Sequence, residues 1–181
     1  KYFLPIEEIA PRSEGFNIER NYYRLDDKKM EKPLTKAKIG ETLRGHISIV
    51  VPEERSLVAL ENFLPAGFEL VNFEFDTSDK RLLLLGENDS PERYQYRGED
   101  VPFPVYVNDG YYYGFSTWTH KEMRDDRLFL FADRLAKGVY EYDFYVNVTS
   151  EGEFHQPPAV ISEMYFPENF GRTKGTWMKV E

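Results

Sequence analysis

From Val139 to Val148 the chain alternates: Tyr140, Tyr142, Phe144, Val146 and Val148 are interleaved with Glu141, Asp143, Tyr145 and Asn147. Successive side chains of an extended chain point to opposite faces, so this pattern predicts a strand with one buried face. Just before it, Leu128, Phe129, Leu130 and Phe131 are apolar without interruption, which predicts a strand covered on both faces. A short link ending in Gly138 joins the two runs, and the pair reads as a hairpin at the centre of an all-β domain. The stretch that holds it, 123–165, continues through a turn at Ser150-Glu151-Gly152 and a break at Pro157-Pro158. It then runs extended from Ala159 to Phe166.

Elsewhere the same alternation recurs. Phe16, Ile18 and Tyr22 share one face of an extended segment from Gly15 to Leu25, which a turn at Asp26-Asp27-Lys28-Lys29 ends. Leu43, Gly45, Ile47, Ile49 and Val51 alternate with Arg44, His46 and Ser48, and Pro52 closes that strand. Strands are predicted at Leu57 to Phe63 and Phe68 to Phe75, on either side of Leu64-Pro65-Ala66-Gly67. There Pro65 presets the turn and Gly67 is expected to take a positive φ. Thr176 to Val180 reads as an edge strand. Apolar spacing of three and four residues never persists for three turns, so almost no helix is expected. Strands at this spacing, punctuated by Gly and Pro, predict an antiparallel β-sandwich of about seven to nine strands. Residues 1–13, with Pro5 and Pro11 and no clear period, read as a linker or arm; 14–181 is one domain. Within it, 76–114 is heavily punctuated by turn residues and reads as an insertion forming a loop or an extra hairpin, with a candidate strand at Arg81 to Leu85.

At 181 residues the chain fits a single domain with a substantial core. Its 23 basic and 32 acidic residues give a net charge of −9. An acidic surface repels phosphate backbones, which argues against a nucleic-acid partner. There is no cysteine, so disulfides, thiolate metal sites and a cysteine nucleophile are excluded. The longest apolar runs are far too short to cross a bilayer. Because it starts at Lys1, the chain is read as a piece of something longer, with any targeting signal elsewhere.

The densest charge cluster is Arg124-Asp125-Asp126-Arg127. Calcium ligation or a carboxylate pair for glycoside hydrolysis would need Asp125 and Asp126 to converge. Neighbours on a strand diverge, so the cluster is read as a turn stitched by Arg–Asp hydrogen bonds. His46, His120 and His155 are scattered singly, without the converging spacing that zinc needs. No Gly-x-Ser-x-Gly elbow and no glycine-rich phosphate loop is present. Asn147-Val148-Thr149 matches a glycosylation acceptor but sits inside a predicted strand. Tyr111-Tyr112-Tyr113 with Trp118 could line a sugar-stacking platform, or could simply be strand residues. No catalytic, cofactor-binding or metal-binding residue is assigned; the chain reads as a binding domain, not an enzyme.

Three blocks then resemble one family. The segment from Leu57 to Glu69, LVALENFLPAGFE, is similar to the V-x-x-x-D-x-L-P-A-G-F/L-E segment of bacterial α2-macroglobulins. Trp118-x-His120, Arg124-Asp125-Asp126-Arg127, Phe131, Leu135 and Gly138 follow the next block in order. Gly152, Phe154, Pro157-Pro158, Glu163-Met164-Tyr165 and Pro167 resemble the closing block. The likeness runs from about Phe16 to Gly171 and is to the C-terminal, tenth macroglobulin-like domain. It implies an immunoglobulin-like, macroglobulin-like sandwich with no activity of its own, inside an extracytoplasmic peptidase trap. Such a trap is periplasmic or membrane-anchored, facing the periplasm or surface, and touches a membrane only through an anchor elsewhere in the parent. Its partners are the thioester domain and neighbouring domains of the same polypeptide, and target proteases through the parent.

In that family the Met-Tyr pair of the closing block, here Met164 and Tyr165, lies against the thioester and helps exclude water until the bait region is cut. The sequence departs from the family at Asn62, where Asp is usual, and the thioester motif itself lies outside this chain. A rival reading is a carbohydrate-binding sandwich module that uses Tyr111 to Trp118.

Overall fold

A computed structural model describes Pro5, residues 9–72, the backbone of 95–97, and residues 118–181, and the structural statements below concern these. They form strands and turns without helix. The strands are β1 (Arg12–Glu14), β2 (Asn17–Arg24), β3 (Lys36–Ala37), β4 (Thr42–Val51), β5 (Arg55–Phe63), β6 (Phe68–Leu70) and β7 (Gln95–Arg97). They continue as β8 (His120–Met123), β9 (Arg127–Leu135), β10 (Gly138–Val148), β11 (Gly152–Gln156), β12 (Val160–Glu163), β13 (Phe170–Arg172) and β14 (Thr176–Val180). One sheet runs β1-β13-β12-β5-β9-β8 and a second runs β2-β4-β10-β6, with β7 also on β10. The third, smaller sheet is β11-β14-β3. The all-β sandwich read from the sequence is the fold found, with more and shorter strands than expected.

The core lies between the two large sheets. Ile18, Tyr22, Leu43, Ile47, Ile49, Tyr142, Phe144 and Val146 face Val58, Leu60, Leu128, Leu130 and Ile161 in one continuous apolar cluster. Tyr22 packs edge-to-face on Phe68 and Phe144, with ring centroids 5.6 and 5.9 Å away. Its hydroxyl accepts a hydrogen bond from Gln156 Nε2 at 2.7 Å, as a buried phenol requires. Burial raises the Tyr22 pKa to about 12, more than the opposing pull of the Arg20 charge and the Gln156 bond.

Several local expectations are overturned by pairing. The two apolar runs at the centre are not a hairpin: β9 pairs with β5 and β8, while β10 pairs with β4, β6 and β7 in the other sheet. The link at Ala136-Lys137 therefore crosses between layers. Burial is also exchanged between the two strands. On β9 Leu128 and Leu130 are buried, whereas Phe129 and Phe131 lie partly exposed on the outer face, stacked on each other at 6.0 Å. Arg124 stands 5.2 Å over the Phe129 ring, and His120 stacks on Phe131 at 5.8 Å. At the middle of β10 both faces are buried, because Asp143 and Tyr145 are as covered as Tyr142 and Phe144. Asp143 faces His46 on β4, and its Oδ1 lies 2.6 Å from His46 Nδ1.

Gly67 does not have a positive φ. It is needed for a close approach instead, since a Cβ there would lie 2.4 Å from the Phe154 ring. Thr176–Val180 is not an edge strand: it is central in the small sheet, antiparallel to β11 and parallel to β3. Its Met178 and Val180 point into the main core. Part of the arm is paired, because β1 lies along β13 from Arg12↔Arg172 to Glu14↔Phe170. The insertion at 76–114 lies outside the described residues except for the backbone of β7.

Candidate functional site

β12 and β13 form a hairpin between Val160↔Arg172 and Ser162↔Phe170, and the residues that close it are the candidate site. The expected run of extended chain to Phe166 stops at Glu163. Beyond it the backbone bends, so Met164 and Tyr165 are not held to opposite faces as strand neighbours would be. They are 56% and 74% exposed, and Phe166 follows at 58%. Large apolar side chains in contiguous exposure on a domain's surface mark a place that meets something.

Leu57 on β5 belongs to the same surface. The Met164 N–H donates to the Leu57 carbonyl at 2.8 Å, one step past the Glu163↔Val58 pair. Leu57 is 42% exposed and has a φ of 51°. A non-glycine residue in this left-handed region costs about 1–2 kcal/mol, because Cβ crowds the following carbonyl. Such strain persists only where the surroundings enforce it, and it gathers at functional surfaces. Here the enforcing partners are the ladder on one side and the loop on the other. Sequence reasoning named Met164 and Tyr165 and missed Leu57 and Phe166. Phe166 was visible as the apolar residue after Tyr165 and before Pro167; Leu57 read only as the first residue of a predicted strand, and its left-handed φ is not visible in the sequence.

The other candidates resolve into structure. Arg124 to Asp126 form the tight link between β8 and β9, with the Arg124 N–H on the Arg127 carbonyl at 2.9 Å. Arg127 Nη2 donates to Asp126 Oδ2 at 2.6 Å and Nη1 donates to Glu61 Oε1 at 2.7 Å. The Arg127 hydrogen bond holds the Asp126 carboxyl below its usual range. Trp118 is only 5% exposed, so it is a core residue and not part of a sugar platform. Tyr111, Tyr112 and Tyr113 lie outside the described residues. His155 sits against Trp177, ring centroids 4.1 Å apart, remote in sequence from His46 and His120. Among the described residues no group of three His, Cys, Asp or Glu side chains is placed to hold a metal ion. Asn147 is exposed and accepts a hydrogen bond from the Thr42 hydroxyl at 2.7 Å.

A family match, a curated relative and solved structures converge on one family. Residues 15–168, from just before β2 into the β12–β13 loop, match the family described as the bacterial alpha-2-macroglobulin MG10 domain. The chain is similar to the alpha-2-macroglobulin homolog of Nostoc sp., 27% identical over 152 residues, which is 84% of this chain and 6% of that protein. Among solved structures it resembles trypsin-activated alpha-2-macroglobulin from Escherichia coli, with a TM-score of 0.68 and 16% identity over 95% of this chain and 11% of that one. It also resembles Salmonella alpha-2-macroglobulin reacted with methylamine, with a TM-score of 0.63 and 17% identity over 94% of this chain and 9% of that one. At these identities the structural likeness speaks for the fold. The family match covers most of the chain, and on it the chain belongs to the bacterial α2-macroglobulin MG10 domains.

Proposed function

We propose that this chain is the C-terminal, non-catalytic domain of a bacterial α2-macroglobulin-like peptidase inhibitor, and that Met164 and Tyr165 pack against the thioester domain and shield it. The observation that supports this is the exposed loop after Glu163, which holds three large apolar side chains in solvent. A thioester is an activated acyl group, and its hydrolysis slows when apolar side chains keep water out. A thioether and an aromatic ring suit that task, being large, adaptable and not nucleophilic at neutral pH. The forms in which the relatives were solved, reacted with methylamine or activated by trypsin, fit a parent with an amine-sensitive centre that proteolysis opens. In this reading the partners are the thioester domain and neighbouring domains of the same polypeptide. Target proteases are met through the parent, in an extracytoplasmic compartment. Trp118 in the core takes one of the four rings from the carbohydrate-binding alternative, whose Tyr111, Tyr112 and Tyr113 lie outside the described residues.

The test is made in the uncut parent carrying its thioester. Tyr165→Ala or Met164→Ala is expected to speed the attack of methylamine on the thioester. Both side chains are exposed, so the domain's own stability should change by no more than about 0.5 kcal/mol. An unchanged amine rate would return both residues to the role of ordinary surface.

A further inference from the structure

Glu163 stands where an apolar side chain is expected. It follows Ile161 by two positions on the inward face of β12 and is only 7% exposed. A carboxylate taken out of water needs partners, and this one has them from three directions. Oε1 accepts the Ser56 backbone N–H of β5 at 2.9 Å, and Oε2 accepts Asn169 Nδ2 at 2.5 Å. The Arg55 guanidinium, itself bonded to Glu53, stands 3.6 Å from Oε2. The backbone repeats the same closure. Glu163 N–H donates to the Asn169 carbonyl at 3.1 Å, and Asn169 N–H donates to the Phe166 carbonyl at 2.9 Å. The loop between is thus tied at its base and across its middle, while its apolar side chains point away.

We infer that Glu163 is a positioning residue for this surface: its buried carboxylate ties β5 to Asn169 and so presents Leu57, Met164, Tyr165 and Phe166 as one preformed apolar knuckle. The inference rests on the reading of the loop as an interdomain contact. A free hairpin loop would lose backbone and rotamer freedom on docking, and would fold its apolar side chains back onto its own domain when undocked. Ser56 adjoins the left-handed Leu57, so the same carboxylate that closes the loop also holds the backbone next to that residue.

The experiment uses the uncut parent with its thioester and follows the rate of methylamine attack and the melting temperature. Glu163→Ala and Asn169→Ala are each compared with Tyr165→Ala and with the corresponding double variants. Releasing two ordered side chains at an interface should raise the amine rate about tenfold. Added to Tyr165→Ala, either change should raise it by clearly less than it does alone, because both act through the same apolar surface. Glu163→Gln keeps an acceptor for the Ser56 N–H and should give a smaller rise. If Glu163→Ala does not fold, Asn169→Ala carries the test, since Asn169 is half-buried. A faster rate with Tyr165→Ala but not with Glu163→Ala or Asn169→Ala overturns the positioning role and leaves the shield standing. Full additivity in the double variants overturns it as well. No change in any variant removes the shield itself, and the positioning role with it.

Discussion

Arg20 enters the sandwich from β2 on the same face as Ile18 and Tyr22, and among the described residues its guanidinium donates to neutral oxygens. Nη1 donates to Asn62 Oδ1 at 2.8 Å and to the Phe63 carbonyl at 3.1 Å, and Nη2 donates to the Pro157 carbonyl at 2.9 Å. Burial lowers the Arg20 pKa to about 10, outweighing the Tyr22 contribution that would raise it. A base whose folded pKa lies below its unfolded value costs stability while it is charged, and that cost is relieved only as pH rises past about 10. Asn62 is fully buried and its Nδ2 has no hydrogen-bond partner. Asn62→Asp would remove that orphaned donor and set a carboxylate against the guanidinium. A hydrogen bond between charged groups is worth about 1.5–3 kcal/mol, offset in part by desolvating the new carboxylate. A net gain of about 1 kcal/mol is expected at pH 7. Beside Arg20 the new carboxyl would titrate below its unfolded value of about 3.9, so the gain is present above that pH and is lost as pH falls through the depressed value. Urea midpoints at pH 7 and pH 3 check both statements; a lower midpoint at pH 7 would mean that desolvation wins.

At the scale of elements, the β4–β10 pair depends on a missing side chain. Gly45 faces Phe144 in the register, and a Cβ on Gly45 would lie 2.2 Å from Cζ of that ring. The ring lies across the Gly45 backbone and leaves room for the edge of Tyr22. Gly45→Ala should therefore cost about 1–3 kcal/mol by forcing the ring out of place. Phe144→Leu on that background should recover part of the loss, because the shorter side chain ends before the clash. Denaturant midpoints of the single and double variants decide it, and a double variant showing the full sum of both losses would rule out the close approach. Gly45 also marks what a single sequence tells. Its place on the inward face of a strand was legible, since alternation is a local property of the extended chain. Its reason was not, because Phe144 lies in another strand. The same division explains β9 and β10: each was legible as a strand, but their sheets are set by β5 and β4, remote in sequence. In the candidate site the Met164-Tyr165 pair was legible as part of a motif. The Glu163 clasp was not, since Ser56 lies 107 residues away.

For the whole molecule the question is whether three sheets unfold as one body. The small sheet could be a separate unit if it met the sandwich through its polar side alone. Instead Met178, Val180 and Ala37 belong to the same apolar cluster as Leu60 and Tyr142, and Phe154 of β11 closes over Gly67 next to β6. Cooperative unfolding is expected where one core is shared. The two tryptophans report on the two parts: Trp118 is buried against the main core, whereas Trp177 lies 52% exposed on the small sheet beside His155. Trp177→Phe leaves fluorescence from the core, and Trp118→Phe leaves fluorescence from the small sheet. Replacing Trp118 should lower stability through lost packing, and replacing the exposed Trp177 should lower it little. Within each variant, however, fluorescence and far-UV circular dichroism should share one urea midpoint. In the Trp118→Phe protein, a Trp177 transition at lower urea than the loss of β-signal would show the β11-β14-β3 sheet detaching first. The shared core would then not be what holds it.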